Sequence, residues 1–470
     1  MIFIIVPSIE AMEGVIGVFT HKDAATKSLY LLYGVQHRGQ ESSGITAAGD
    51  HSLRTWKGEG LVSRVFTEKY SAFVHPDDYV IIGNASGENI DNGYAPIVDR
   101  SHERYEFSIA LDGFMRKHPQ ETNEEVFKDS LRGFLKTGVN LIEAFKKTME
   151  KHRNSYYSLV MAAWDKEANN SILIAARDAR GVRPLYMAKS PKGVFIASES
   201  APIDVLESMG EGLTERMDVI PGTMVVVTKK RVEEIKVLEP RPATCVFEWV
   251  YFGRPDSVIE GKTVHKVRKS LGHGLVRTHD LRKLYKVEDD TKNDLVVIPV
   301  PDSGRSVCTG VAEELGVPAD EGVIKNAYLG RTYIIDDPIF RQTASDIKHN
   351  IIRETVKDKK IVISDDSIVR GTVSESVAKN LLKAGAREVD FLVSYAPIFY
   401  PCFSDPPDKS LAAQPYKGKS LQEIGALVAE NLPSINNVRY NSEENIKNAV
   451  GLDGRICTYC ISGNNPFEEK

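Results

Sequence analysis

Residues 360–386, KIVISDDSIVRGTVSESVAKNLLKAGA, decide the fold of the second half of this chain. The run from Ile361 to Ile363 is β-branched and has no breaker, which is typical of a strand buried on both faces. Apolar residues then recur at helical spacing from Val377 to Leu382. A buried strand that leads through a short loop into a helix is the repeating unit of doubly wound α/β proteins.

The loop within this unit carries chemistry suited to a sugar phosphate. Its polar residues and turn glycine are Asp365, Asp366, Ser367, Arg370, Gly371 and Thr372. Backbone N–H groups and hydroxyls at a helix N-terminus suit a phosphate monoester, and a glycine allows close approach of the backbone. Paired carboxylates accept two vicinal hydroxyls or hold Mg²⁺. The loop therefore predicts a ribose 5-phosphate site; the alternative is an acidic strand end without a functional role.

The string DDSIVRGT resembles the phosphoribosylpyrophosphate (PRPP) loop of type I phosphoribosyltransferases. In this form it is similar to the loop of the glutamine PRPP amidotransferases. The resemblance implies an α/β type I phosphoribosyltransferase domain at residues 241–470, with pyrophosphate bound near the segment PVPDSG at residues 299–304. It also implies magnesium ligands at Ser303, Asp365 and Asp366, and PRPP contacts from Asp302, Ser303, Gly304, Lys325, Arg341, Lys348, Asp365, Asp366, Ser367, Arg370, Gly371 and Thr372.

The loop expected to close over PRPP departs from this family. Residues 335–338 are Ile-Asp-Asp-Pro, where the resemblance leads one to expect Glu-Pro-Thr-Gln. Two added carboxylates beside a highly charged ligand predict weaker closure or a greater need for magnesium. A solvated acidic turn is the alternative interpretation.

The length, composition and net charge of the chain limit the classes of protein to which it can belong. The chain has 470 residues, of which 42% are apolar and 27% charged, with a formal net charge of −5. These values are typical of a soluble protein of two or three domains and do not favour nucleic-acid binding. The apolar segment MIFIIVPS is far shorter than the roughly 20 residues that span a bilayer. We therefore expect a cytoplasmic protein that binds neither membranes nor nucleic acid.

The first half resembles the amino-terminal nucleophile glutaminase domain of the same family. The similar strings are HRGQ at residues 37–40, ARDARGVRPL at residues 176–185 and ASE at residues 197–199. The resemblance implies an α+β domain at residues 13–240, in which two stacked sheets lie between helical layers (αββα).

The residues that would hydrolyse glutamine are replaced. The family uses the thiol of an N-terminal cysteine and an asparagine in the oxyanion pocket. Here Glu13 stands at the cysteine position, Ser86 lies where the substrate-binding arginine is expected, and Asp112 occupies the asparagine position. Neither translation start, Met1 or Met12, would free an amine at residue 13. We predict that this glutaminase-like domain is inactive.

The five cysteines of the chain favour metal ligation over disulfides. An odd number in a long chain disfavours a secreted disulfide framework, so metal ligation is the better interpretation. Four thiolates suit either tetrahedral zinc or a cubane cluster. The resemblance implies a [4Fe-4S] cluster held by Cys245, Cys402, Cys457 and Cys460, and it leaves Cys308 as a small buried residue.

Three functions remain open from the sequence. The first is a magnesium-dependent transferase that joins ammonia, free or from a partner glutaminase subunit, to C1 of PRPP. The second is a non-catalytic PRPP or nucleotide sensor that pairs with an active amidotransferase paralogue. A base-salvage phosphoribosyltransferase is the third, and it leaves the cysteines and the first domain unexplained. We also expect a homo-oligomer, either a dimer or a tetramer.

Overall fold

The computed structural model describes residues 12–67, 70–87, 95–115, 121–287, 294–326, 349–403 and 410–468. Within these ranges the first half contains two antiparallel sheets. The first sheet has the strand order β11-β9-β10-β1-β4-β2-β3 and the second has the order β13-β12-β8-β7-β6-β5. The bounds of these strands are β1 Glu13–Thr20, β2 Ser42–Gly49, β3 His51–Glu59, β4 Val80–Ser86, β5 Ile97–Asp99, β6 Tyr105–Phe114, β7 Tyr156–Asp165, β8 Asn170–Arg177, β9 Tyr186–Ser190, β10 Gly193–Ala197, β11 Glu215–Asp218, β12 Thr223–Val227 and β13 Val232–Lys236.

The two sheets stack face to face between helical layers. Alternation along β1 shows the arrangement, because Val15 packs against the second sheet whereas Ile16 and Val18 pack against helices. Two helices cover the first sheet and two cover the second, so the predicted αββα fold is confirmed. The helices of this half are α1 Ala24–Gly34, α2 Val62–Val65, α3 Tyr70–Phe73, α4 Asn123–Leu135, α5 Leu141–Lys151 and α6 Ser200–Ser208, with α1 and α6 on the first sheet and α4 and α5 on the second.

The second half is built on a parallel sheet. Its described strands have the order β17-β20-β21-β22, with bounds β17 Leu295–Pro299, β20 Lys360–Asp365, β21 Glu388–Val393 and β22 Asn437–Tyr440. Ile361 and Ile363 face one helical layer and Val362 faces the other, so the predicted doubly buried strand is confirmed. The helices are α7 Val264–Thr278, α8 Leu281–Leu284, α9 Arg305–Leu315, α10 Arg353–Val356, α11 Thr372–Lys383, α12 Leu421–Glu430, α13 Glu443–Val450 and α14 Tyr459–Ser462.

Short elements complete the second half. The strand pair β14 (Thr244–Cys245) and β23 (Ile456–Cys457) joins the start of the second half to the C-terminal segment. The remaining elements are β15 Val258–Ile259, β16 Lys262–Thr263, β18 Val323–Lys325, β19 His349–Ile351, a π-helical turn at Glu248–Phe252 and a 3₁₀ turn at Gln414–Tyr416. The predicted boundary near residue 240 lies between the end of β13 at Lys236 and the start of β14 at Thr244, and it stays a prediction. Among the described helices, none has the length and apolar character to cross a membrane.

Candidate active site

The predicted phosphate loop lies at the carboxyl end of β20. The strand ends at Asp365, and helix α11 begins at Thr372. Gly371 caps this helix with a φ of 84° and, as a glycine, has no side chain to accept a hydrogen bond from the first N–H groups. A left-handed conformation favours glycine, and a Cβ at this position would lie 2.8 Å from Leu432 Cδ2. The helix therefore presents free backbone donors at the end of the loop, as a phosphate requires.

The two aspartates of the loop are buried beside a serine from the neighbouring strand end. The Ser303 hydroxyl donates a hydrogen bond to the Asp365 carboxylate, and the Ser367 hydroxyl donates to Asp366 Oδ2 at 2.6 Å. Burial, and next the neighbouring charge of Asp366, raise the pKa of Asp365 well above its usual range. A divalent cation would relieve this repulsion, so Ser303, Asp365 and Asp366 fit the magnesium site that was predicted from them.

The segment PVPDSG meets this loop through a close backbone contact. The Val300 N–H donates to the Ser364 carbonyl at 3.0 Å, which joins the end of β17 to β20. A Cβ on Gly304 would lie 2.2 Å from the same carbonyl oxygen. Only glycine can occupy this position. The close contact places the predicted pyrophosphate segment beside the predicted ribose segment.

Basic side chains border the predicted pyrophosphate position. The Lys325 ammonium lies 3.3 Å from Asp302 Oδ2, and the Arg305 guanidinium lies 3.5 Å from Asp302 Oδ1 and also contacts Glu321. The sequence analysis overlooked Arg305, although it directly follows the PDSG string. Arg341, Lys348 and loop residues 335–338 lie outside the described residues, so nothing here bears on their predicted roles.

The position of the expected glutaminase nucleophile is occupied by a hydrogen-bonded carboxylate. Glu13 begins β1 and pairs with Ser86 on β4. The Ser86 hydroxyl donates to Glu13 Oε1 at 3.2 Å, and the Asn84 amide donates to Glu13 Oε2. On the second sheet, Asp112 Oδ1 lies 3.4 Å from the backbone nitrogen of Glu13. The three replacements, Glu13, Ser86 and Asp112, thus lie together at one end of the space between the sheets.

A buried arginine fills the centre of this end of the sandwich. The Arg38 guanidinium lies 2.7 Å from Glu199, 3.0 Å from Glu248 and 3.2 Å from Asp112, and its side chain has no exposed surface. Burial lowers the pKa of Arg38, but Glu248, Glu199 and Asp112 outweigh it and raise the pKa above its ordinary value. Asp112 is therefore an ion-pair partner of Arg38, at the position where the sequence analysis expects an oxyanion donor.

The same network joins the two halves of the chain. Glu248 lies in the π-helical turn of the second half and also pairs with Arg183 at 3.1 Å. Glu199 accepts hydrogen bonds from the Arg254 N–H at 2.9 Å and the Ser257 hydroxyl at 2.7 Å. Burial would raise the pKa of Glu199, but His37 and Arg38 hold it below its usual range. The sequence motifs contained these residues, yet their pairing was not predicted.

Four cysteines converge where the C-terminal segment returns to the first half. Cys245 and Cys457 are register partners in the β14–β23 pair, and Cys460 follows in helix α14. Burial raises the pKa of the Cys245 thiol, and the nearby thiols of Cys457 and Cys402 raise it further. Burial likewise raises the pKa of Cys457 to about 12, with added effects from Cys460 and Cys402. The four side chains are neighbours, so the donor set has the all-sulfur chemistry of a soft-metal centre.

In the described ranges no three His, Cys, Asp or Glu side chains form a group that could hold a metal ion. Cys308 stands apart from the set. It is buried in α9, as predicted, and burial raises the pKa of its thiol to about 12, which makes it unreactive.

Comparison with known proteins identifies the family. No protein-family model matches the chain. The amidophosphoribosyltransferase of Archaeoglobus fulgidus is 32% identical over 471 residues, covering 96% of each protein. The amidophosphoribosyltransferase of Bacillus subtilis is 30% identical over 474 residues, covering 96% of this chain and 92% of the relative.

Solved structures agree with these relatives. The glutamine PRPP amidotransferase of B. subtilis, complexed with ADP and GMP, matches with a TM-score of 0.80 and 27% identity, covering 96% of this chain and 97% of that chain. A structure described as the allosteric regulatory enzyme of purine biosynthesis matches with a TM-score of 0.79 at the same identity, covering 96% of both chains. This chain therefore belongs to the amidophosphoribosyltransferase family of purine biosynthesis.

Proposed function

We propose that this protein joins ammonia to C1 of PRPP to form 5-phosphoribosylamine and pyrophosphate, and that it does not hydrolyse glutamine. The proposal rests on a contrast between the loop at residues 365–372 and position 13. The loop at residues 365–372 presents buried carboxylates and free helix N–H groups, which suit a ribose phosphate. Position 13, where the family requires a thiol, is a carboxylate that accepts hydrogen bonds from Asn84 and Ser86.

In the transferase centre, the residues would act by holding PRPP in position for the reaction. The N–H groups at the start of α11 would hold the 5-phosphate, and Asp365 and Asp366 would hold the ribose hydroxyls. Mg²⁺, when bound by these carboxylates and Ser303, neutralises charge on the pyrophosphate. The lone pair of ammonia forms the bond to C1, the C1–O bond breaks, pyrophosphate leaves with the bonding electrons, and the surplus proton passes to solvent. No protein nucleophile is needed, because proximity and charge neutralisation lower the barrier.

The absence of glutamine hydrolysis follows from two features of the first half. A carboxylate at position 13 would give an anhydride rather than a thioester. The Asp112 carboxylate lies against Arg38 and Glu13 N, where an oxyanion would need a neutral donor. The first half is then a scaffold that contributes buried contacts to the transferase half.

We further propose that Cys245, Cys402, Cys457 and Cys460 hold a [4Fe-4S] cluster. Support comes from the proximity of the four thiols, of which Cys457 is buried and the others are partly buried, and from the family of the chain. A single zinc ion would require a compact tetrahedral group, whereas each thiolate of a cubane binds a different iron. The cluster would fasten the C-terminal segment to the start of the second half, because two of its ligands lie on β14 and β23.

The source of ammonia and the oligomeric state belong to the same proposal. Free ammonia is the simplest nitrogen source, and a partner glutaminase subunit is the alternative. We expect a dimer or tetramer, which light scattering on the purified protein would establish.

The experiment supplies PRPP, Mg²⁺ and either ammonium or glutamine at mildly alkaline pH, where free ammonia is appreciable. Release of pyrophosphate should depend on ammonium, and glutamine should yield no glutamate above background. The control is Glu13→Cys, which should not restore glutaminase activity because Asp112 still occupies the oxyanion position. Steady glutamate release by the natural protein would refute the inactive-glutaminase proposal. Binding of PRPP without ammonia-dependent turnover would instead indicate a sensor.

A further inference from the structure

One buried tyrosine connects the cysteine set to the predicted ribose loop. Tyr395 follows β21 at the carboxyl end of the parallel sheet and has no exposed surface. Its hydroxyl lies 3.0 Å from the sulfur of Cys460. Its backbone N–H donates at 2.9 Å to the carbonyl of Asp366, so one residue contacts both sites.

The environment of the phenol consists of apolar rings and sulfur. The ring packs edge-on against Phe247, with 4.6 Å between centroids. The buried phenol therefore contacts the Phe247 ring and the sulfur of Cys460.

The direction of the hydrogen bond follows from the chemistry of the sulfur. A metal-bound thiolate has no proton and can only accept, whereas a protonated phenol can donate. Hydrogen bonds to cysteine sulfur are one of the ways in which a protein sets the reduction potential of an iron–sulfur cluster. A donated hydrogen bond stabilises the extra negative charge of the reduced cluster, and it also stabilises the bound thiolate against loss of iron.

We propose that Tyr395 is a positioning residue of the cysteine centre, whose hydroxyl donates a hydrogen bond to Cys460 Sγ and thereby raises the reduction potential of the bound cluster and strengthens its retention. The inference rests on the [4Fe-4S] cluster of the proposed function. It assigns a role to a side chain that neither binds iron directly nor contacts substrate.

The test compares Tyr395→Phe with Tyr440→Phe in anaerobically purified full-length protein. Tyr395→Phe removes one oxygen atom but keeps the ring on Phe247 and the backbone hydrogen bond to Asp366. Tyr440 is the matched control, because it is also fully buried in the second half and its hydroxyl has no hydrogen-bond partner in the described structure. Iron content, redox titration followed by electron paramagnetic resonance, and bleaching by a chelator would be measured on each protein.

Tyr395→Phe should shift the midpoint potential to a more negative value and bleach about tenfold faster or more, as expected when an outer hydrogen-bond partner of a metal ligand is lost. Tyr440→Phe should match the natural protein in both measurements. PRPP binding by Tyr395→Phe should persist, which shows that the fold is retained. Should that variant fail to fold, site-specific 3-fluorotyrosine at position 395 offers an isosteric and stronger donor, which should shift the potential in the positive direction.

The outcomes separate this inference from the proposal on which it rests. Natural protein that contains zinc or no metal would refute the cluster itself. A cluster that is present, with the same potential and bleaching rate in Tyr395→Phe as in the natural protein, would overturn the role of Tyr395 and leave the cluster standing.

Discussion

Replacement of Arg38 by methionine should destabilise the protein strongly. Methionine roughly preserves the length of the side chain but removes the charge that lies between Glu199, Glu248 and Asp112. His37 still pairs with Glu199, and Arg183 still pairs with Glu248, so the loss is less than that of three separate ion pairs. Removing one partner from a buried ionic group costs about 3–5 kcal/mol, because the remaining charges are left without compensation in a poorly solvating site.

The matched control is Arg216→Met. Arg216 also binds two carboxylates, Asp204 at 2.6 Å and Glu207 at 3.2 Å, but all three side chains are partly exposed to solvent. Such a surface pair contributes about 0–1 kcal/mol. For a cooperative unit of the size of the first half, a loss of 3–5 kcal/mol corresponds to about 6–20 °C in Tm. Differential scanning calorimetry and urea titration of the three proteins would measure the difference.

The pH dependence gives a second check on the same variant. The pKa of Glu199 is lowered in the folded protein, so its ionised form contributes stability above the unfolded pKa of about 4.3, and this contribution is lost as the pH falls through the folded pKa. Arg38→Met weakens this contribution of ionised Glu199 to the stability of the folded protein. The difference in the free energy of unfolding between the natural protein and Arg38→Met should therefore be largest at neutral pH. It should become smaller as the pH falls below about 4.3. A loss no larger than that of Arg216→Met, or a gap that widens in acid, would refute the reasoning.

Three further predictions concern the transferase centre and the cysteines. Asp366→Asn should weaken the binding of PRPP with Mg²⁺ by about 1–3 kcal/mol in calorimetry, the cost of losing a charged hydrogen-bond partner, and unchanged affinity would contradict its assignment. Gly304→Ala should abolish PRPP binding, because its Cβ would lie 2.2 Å from the Ser364 carbonyl, whereas Gly133→Ala, with no atom within 4 Å of its Cβ, should bind normally. Cys457→Ser should lose the metal and reduce the thermal stability, since metal binding contributes to folding, and full iron retention in elemental analysis would exclude Cys457 as a ligand.

The sequence alone determined the features that depend on neighbouring residues. The strand Lys360–Asp365 and the helix Thr372–Lys383 were predictable because burial on both faces and helical periodicity leave local patterns in the chain. The loop between them was predictable for the same reason, since its carboxylates, hydroxyls and glycine lie within eight consecutive positions, and its binding of a phosphate stays a prediction. The resemblance added the prediction of a four-cysteine ligand set, and in the structure two of these residues, Cys245 and Cys457, are register partners in the β14–β23 pair.

Only the tertiary structure decided which charges meet. Arg38 and Glu248 are separated by 210 positions, and Arg38 and Glu199 by 161, so no periodicity relates them. Each is polar in the sequence and would ordinarily be assigned to the surface. Burial becomes tolerable only when the two stacked sheets and the π-helical turn of the second half bring opposite charges within hydrogen-bonding distance. Because that pairing is set by the packing of distant elements, the sequence could predict that Glu13 and Asp112 stand at catalytic positions, but not that Arg38 binds the carboxylate of Asp112.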